Sequence, residues 1–467
     1  MRKVILAAVA GNLGMVSVGL FVGWASPTLP LLIDNDNPDY PVRLNTDQAS
    51  WVVSLLTLGC IGGSITSALI VNAIGRKNTM LFTAVPSVIS WLLIAFATSP
   101  WELYLSRFIS GLAVGIAYAS TPMYLGEISP AGIRGNLGSM LTVAVKLGTS
   151  IEFIIGPFLS VRNLALISLI APCVFIVTFI WLPESPYYLM RCNAKQKAIE
   201  SLVQLRGKQD VYKEADGIEQ SVKADLVNKA GFRELLFVPG NRRALLTLTC
   251  LGMAQQLSGI QIVLQYAEMI FDEADVELEG KYLTMVLGAV QLVSVLICMM
   301  VTDRSGRKSL LIISCVGSAC STAMVAAYFH AKHNQVDISN ILWLPILGVI
   351  LYVVMYSLGL AGIPLTMASE LYPTNVKALG TTTKIVITNI IAFALTNSYL
   401  AVSKSTGTHT PFWIFTVCSL VAALFTLLYV PETKGRTLEE IQEKLRGLSK
   451  KKEAENQTRA DLSSVNV

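Results

Sequence analysis

Residues 127–135 read Glu-Ile-Ser-Pro-Ala-Gly-Ile-Arg-Gly, and residues 370–380 read Glu-Leu-Tyr-Pro-Thr-Asn-Val-Lys-Ala-Leu-Gly. In both places an acidic residue is followed by proline, a basic residue and glycine, directly after an apolar stretch. Working outward, two more pairs appear in the same order. Gly75-Arg76-Lys77 recurs as Gly306-Arg307-Lys308, and Pro183-Glu184-Ser185 recurs as Pro431-Glu432-Thr433. Each copy follows the second, fourth or sixth apolar stretch of its half. Three ordered repeats imply a duplicated unit of six helices.

Composition says where those helices sit. The chain has 467 residues, 53% of them hydrophobic and only 14% charged, with a mean hydropathy of +0.57. A soluble domain carries nearer a quarter of its residues as charges. Short polar islands separate apolar stretches of about twenty residues, the length a helix needs to cross roughly 30 Å of hydrocarbon. The expected fold is therefore an all-α membrane protein of 12 transmembrane helices. The spans fall near 4–31, 50–71, 78–98, 101–124, 137–160 and 163–182, then 244–270, 281–302, 309–330, 341–367, 379–401 and 411–430. The expected organisation is a six-helix half over 1–183, a cytoplasmic linker with short helices over 184–243, a second half over 244–430 and a tail over 431–467. An amphipathic helix is expected at 438–445. Parallel repeats about an axis along the membrane normal are a transporter architecture, with the substrate site between them.

Orientation follows from Lys and Arg in the short loops. Arg2, Lys3, Arg76, Lys77, Arg134, Arg304, Arg307, Lys308 and Lys377 fall on one side. Asp34, Asp36, Asp39 and the run Asp272 to Glu279 fall on the other. Both termini are thus expected in the cytoplasm. The sequon at 456–458 then lies on the cytoplasmic tail and should go unused. The amino-terminal apolar run continues past Gly23 without a small-residue cleavage site, so it reads as a span rather than a secretory signal. Seven of the eight cysteines lie in apolar segments and read as small buried hydrophobes. His330 and His333, in a short loop, read as solvated residues. No phosphate-binding Gly-x-x-x-x-Gly-Lys loop and no catalytic grouping is present, which argues against an ATP-driven pump or an enzyme. No cofactor, metal or nucleic-acid partner is expected, and oligomeric state is not readable.

The seventh span carries the clearest chemistry. Gln255, Ser258, Gln261 and Gln265 fall within an arc of roughly 120° on a helix. Uncharged polar groups in hydrocarbon need partners, and a stripe facing a water-filled cavity supplies them. Amides donate and accept at once, which suits sugar hydroxyls; helix–helix hydrogen bonding is the plainer alternative. Gly359, Gly362 and Pro364 interrupt the tenth span, as a bending gate would require. In the fifth span Lys146 lies about twelve residues in from Arg134, near mid-membrane at 1.5 Å per residue. Glu152 lies about 240° further round the helix. Glu152 and Arg107 occupy similar depth in adjacent spans and are expected to form an intramembrane charge pair, leaving Lys146 as a cation in the cavity.

These motifs, together with Arg107-x-x-x-Gly111, Gln255-Gln256-Leu257-Ser258-Gly259, Pro186 after Ser185, and Pro431-Glu432-Thr433-Lys434-Gly435, resemble the sugar porter family of the major facilitator superfamily over nearly the whole chain. Gly23-Trp24-x-Ser26-Pro27 is similar to the insect branch called facilitated trehalose transporter-like. The resemblance implies facilitative transport of a sugar (hexose or trehalose-like) across the plasma membrane by alternating access. It implies that Glu127, Glu184, Glu370 and Glu432 pair with Arg76, Arg134, Arg304 and Arg307 as a cytoplasmic latch in the outward-open state and part in the inward-open state. Asn72, where the family commonly has aspartate, should weaken the first-half latch. Gln255, Gln256, Gln261 and Gln291 match sugar-contacting positions, and Thr388-Asn389 stands where an asparagine–tryptophan pair is common. Lys146 replaces a sugar-binding glutamine and Leu365 a stacking tryptophan, so an anionic organic solute is the alternative cargo, and a non-transporting solute sensor a further one. Proton-coupled relatives carry a first-span carboxylate; residues 4–33 contain none. A uniporter is expected unless Glu152 has taken the proton role.

Overall fold

The computed structural model describes residues 2–34, 40–130, 134–208, 210–227, 231–274, 276, 278–302, 306–372, 374–434 and 440. Within them every regular element is a helix. Eleven helical stretches are long and apolar enough to cross a membrane. The expected twelfth, over 244–270, is divided into Pro239–Leu257, Ile260–Gln265 and Ala267–Asp272. The expected tail helix at 438–445 lies outside the described residues, apart from Glu440.

Proline explains several interruptions. The first span (Arg2–Gly23 and Ala25–Ile33), the third (Arg76–Phe82 and Ala84–Phe96) and the sixth (Val161–Ser168 and Ile170–Phe179) each break once. In each, the break lies three residues before Pro27, Pro86 or Pro172, just past the carbonyl that the missing N–H would have served. The tenth span parts into Leu344–Leu358 and Ile363–Leu371 around Gly359 and Gly362, and Pro364 frees the carbonyl of Leu360. Those freed groups are answered from outside. The Leu360 N–H donates to Ser314 Oγ at 3.1 Å, and Gln255 Nε2 donates to the Leu360 carbonyl.

The second span (Thr46–Ile70) packs on the fourth (Pro100–Ile128), the first on the fifth (Arg134–Ile155), and the ninth (Arg307–His333) on the twelfth (His409–Tyr429). Between the halves, the second span meets the eleventh (Thr374–Thr406) and the fifth meets the eighth (Gly280–Thr302). Segment 184–243 forms helices Pro186–Arg191, Lys195–Arg206, Tyr212–Val227 and Phe232–Phe237. The first three enclose a small core of Met190, Ala198, Leu202, Val211, Ala215, Ile218 and Val222. That unit is tied to the first half where Ser201 Oγ donates to the Glu184 carbonyl at 2.6 Å and Arg206 to the Ile128 carbonyl at 2.9 Å. All eight cysteines stand outside any disulfide. His330 and His333 meet His409, the remaining histidine, with ring centroids 4.9 Å from it in each case. No group of three metal-ligating side chains stands in position to hold an ion among the described residues.

Candidate functional site

The repeated charge motifs form two matching clusters at one end of the bundle. In the first half Arg76 Nε donates to Glu127 at 3.0 Å, and its guanidinium lies over the Tyr188 ring. Ser185 Oγ also donates to Glu127. Glu184 takes no arginine side chain among the described residues. Its Oε1 accepts the backbone N–H groups of Arg76, Lys77 and Ser185 at 3.1, 3.0 and 2.8 Å. The second half repeats the arrangement. Arg307 pairs with Glu370 at 3.5 Å, while Glu432 accepts the N–H groups of Arg307, Lys308, Thr433 and Lys434 at 3.0 to 3.1 Å.

Each Pro-Glu motif therefore caps the helix that its Gly-Arg-Lys motif begins, because helix N-termini carry unsatisfied N–H groups and a positive dipole end. Glycine is needed there for room. A Cβ on Gly75 would lie 2.3 Å from Glu184 Oε2, and one on Gly306 would lie 2.6 Å from Glu432 Oε2. Backbone amides hold both Glu184 and Glu432, and the arginine pairs expected of the outward-open state are not made by either carboxylate among the described residues. Asn72 belongs to the first cluster. Its Oδ1 accepts from Arg76 at 3.4 Å, and the first-half bridge is the shorter one. All these partners belong to one half and the segment after it. The side chain of Arg134 and all of Arg304 lie outside the described residues.

Burial alone would raise the Glu432 carboxyl, but its four backbone N–H donors outweigh that and hold it below the usual carboxylate range. A depressed folded-state value gives stability that is complete above the unfolded value of about 4.3 and is lost as pH falls through the folded one. Glu432→Gln should therefore lower the melting temperature in detergent by a few degrees, the scale of losing a cap worth about 1 kcal/mol. The deficit should be flat from about pH 8 to 5 and shrink only below about pH 4. A deficit that faded between pH 8 and 5 would contradict the capping geometry.

Mid-bundle, the candidate binding residues gather on the seam between the halves. The seventh span does not continue as one helix through Gln255, Ser258, Gln261 and Gln265. It breaks at Gly259, whose φ of +92° favours glycine, and turns again at Tyr266. The proposed single polar arc becomes two short faces. Gln255, Gln256 and Gln261 stay half-buried, with Gln256 Oε1 buried and without a partner among the described residues. Ser258 and Gln265 are buried. Ser258 Oγ is 3.0 Å from Tyr352 Oη. Gln265 Nε2 donates to Gln261 at 3.2 Å and its Oε1 accepts from Arg107 at 3.4 Å.

Arg107 is fully buried and anchors this network. Its Nε donates to the Val52 carbonyl at 3.0 Å, its Nη1 to the Phe21 carbonyl at 2.9 Å, and Trp24 lies 5.1 Å beneath it. The expected Arg107–Glu152 ion pair does not form. Glu152, equally buried, accepts from Ser168 Oγ through one oxygen and leaves the other without a partner among the described residues. A sixth-span hydroxyl has taken the place of the charge. Lys146 Nζ reaches Gln291 Oε1 at 3.3 Å across the seam, and Gln291 Nε2 donates to Ser150 Oγ at 3.4 Å. Thr388 and Asn389 donate to their own helix, to Lys384 and Ile385 carbonyls. Leu365 is exposed. Ser26, Ser54, Ser150 and Asn397 also bridge the halves, through Glu268 N–H, each other and the Gly288 carbonyl. Short hydroxyl and amide side chains in apolar runs gave no sign of which neighbour they would meet.

Residues 35–445 match the family described as "Sugar (and other) transporter". The chain belongs to that transporter family. It is a multi-pass membrane protein. Among curated relatives, it is 34% identical over 456 residues to a facilitated trehalose transporter Tret1 of Anopheles gambiae, covering 95% of this chain and 56% of that one. It is 33% identical over 455 residues to the Tret1 of Polypedilum vanderplanki, covering 95% and 88%. The chain spans about half the length of several of the relatives it matches. Its fold superimposes on the xylose transporter XylE from E. coli in a partially occluded inward-open conformation. The TM-score is 0.78 at 22% identity, covering 94% of this chain and all of that one. It also matches XylE bound to 6-bromo-6-deoxy-D-glucose, with a TM-score of 0.74 at 23% identity. The sugar porter scaffold is thus where the polar seam lies.

Proposed function

We propose that this protein is a facilitative carrier that moves a sugar across the plasma membrane by rocking its two halves about the seam. One observation carries the reading. The half-buried amides Gln255, Gln256 and Gln261 of the broken seventh span, with Gln291 of the eighth, line the junction between halves, where a polyhydroxylated solute can exchange hydrogen bonds with them. The domain limits 1–183, 184–243, 244–430 and 431–467 go with this reading, as do cytoplasmic termini. Gly362 and Pro364 serve as the hinge of a gate in the tenth span. The hydrogen bonds that join the halves run from Lys146–Gln291 at mid-depth to Glu268–Ser26 and Asn397–Ser54 near the end opposite the charge clusters. That distribution supports an arrangement open toward the charge clusters, with each latch residue held within its own half.

Uptake of radiolabelled hexoses, trehalose and polyols into proteoliposomes tests this. Saturable uptake that is unchanged by a proton gradient is expected, and Gln256→Leu should reduce it at least tenfold, on the scale of a lost substrate hydrogen bond in a dry site. Absence of saturable sugar uptake, or uptake that requires the gradient, would reject facilitative sugar transport.

A further inference from the structure

Lys384 of the eleventh span is 9% exposed, and no described residue accepts a hydrogen bond from its ammonium or pairs with it. It lies against Gly252 of the seventh span: a Cβ there would stand 2.8 Å from Lys384 Cε and 2.4 Å from Thr388 Cγ2. Gly252 precedes Gln255 and Gln256 by one turn on the same helix face, so the glycine leaves room for a lysine beside the amides. Across the seam, Lys146 of the fifth span has, among the described residues, the neutral amide of Gln291 as its one hydrogen-bond partner. The fifth and eleventh spans are counterparts in the two repeats, so each half contributes one ammonium group to its own wall.

Neither cation has a counter-charge among the described residues. Glu152 packs against Gly23 of the first span and is held by Ser168, and Glu268 sits where the first and seventh spans meet far from the charge clusters. A buried cation without an anion is costly in a low-dielectric interior. Two of them flanking hydroxyl-binding amides describe a solute with hydroxyls and an acidic group. We infer that the cargo is a sugar acid, a carboxylate-bearing sugar whose anion is held by Lys384 and Lys146 while Gln255, Gln256 and Gln261 hold its hydroxyls. This rests on the transport reading above and narrows its substrate class.

The test measures uptake of D-glucuronate and D-glucose by the full chain in proteoliposomes, with glucose 6-phosphate as a competitor. Wild type should show a KM at least tenfold lower for glucuronate than for glucose. Lys384→Gln should raise the glucuronate KM about tenfold or more relative to that for glucose, the scale of one charge-assisted hydrogen bond, and Lys384→Arg should recover most of it. A glucuronate KM equal to or above that for glucose would overturn the inference, and this comparison needs no variant to fold. So would a Lys384→Gln change that shifts both sugars by the same factor, the mark of a lysine merely reaching water. Glucose 6-phosphate competing better than glucuronate would overturn the carboxylate assignment. Uptake of neutral sugar with no gain for the acid sinks this inference alone, whereas no uptake of any sugar sinks the transport reading with it.

Discussion

Replacing Gly63 by leucine or Gly111 by valine should abolish folding rather than reduce turnover. The second and fourth spans meet along Gly59 and Gly63 on one side and Gly111 and Gly115 on the other, two small-xxx-small faces in contact. An added Cβ at any of the four would stand 2.2 Å from a backbone carbonyl of the facing helix: Phe108, Leu112, Leu56 and Cys60 respectively. Backbone cannot rotate away as a side chain does, so the helices must separate by about an ångström or more. Lipid offers no hydrophobic drive to push them together again, because tails are as apolar as leucine. Close packing is the main attraction, and separation forfeits it along the whole seam. The expected result is a monodisperse fraction below about a tenth of wild type by fluorescence size-exclusion chromatography. Gly63→Ala should lie between, with a melting temperature lowered by several degrees. A Gly111→Val protein that stays monodisperse with the wild-type melting temperature would show that the spans do not approach so closely.

The same seam fixes the depth and direction of Arg107, one turn before Gly111. Only at that separation can its guanidinium reach the Val52 carbonyl on the second span and the Phe21 carbonyl on the first. Fold and site are therefore not independent, and a packing variant here should damage both.

What the amino-acid sequence made legible was whatever repeats or whatever is long. Apolar stretches of membrane length were readable because hydrocarbon thickness sets one scale for all of them. The paired charge motifs were readable because duplication wrote them twice. Their partners were not. Glu184 and Glu432 read as partners for arginine side chains, yet a helix N-terminus nearby offers each of them two N–H groups already in place. The seventh span read as one helix because its two glycines, Gly252 and Gly259, stand apart, and an isolated glycine in an apolar run is usually tolerated. Arg107 and Glu152 were matched by depth, but depth does not say which way a side chain faces. Ser168, in a stretch with no other signal, turned out to hold the carboxylate. Lys384 went unremarked because it follows three threonines near the start of a span, where a lysine ordinarily snorkels.

Arg107→Leu is expected to lower uptake about a hundredfold while leaving part of the protein folded. The guanidinium makes two well-placed charged hydrogen bonds to carbonyls of two other spans, rests on Trp24, and reaches Gln265 of the opposite half. Bonds to a charged group are worth about 1.5–3 kcal/mol each, and about 1.4 kcal/mol is tenfold in rate or affinity. Loss of the carbonyl anchoring together with the link that orders Gln265, and through it Gln261, thus accounts for the expected two orders of magnitude. Arg107→Lys should restore little, because one ammonium cannot reproduce a planar fork that spans three helices. Gln265→Leu removes the inter-half link while sparing both carbonyl bonds, so it should reduce uptake roughly tenfold with a near-normal melting temperature. The double variant Arg107→Glu with Glu152→Arg separates this geometry from an ion pair. A true pair would tolerate the exchange, whereas a glutamate facing the Val52 and Phe21 carbonyls would be repelled by both. Uptake by the exchanged protein above about a third of wild type, measured per monodisperse protein, would reject the carbonyl anchoring of Arg107 and restore Glu152 as its partner.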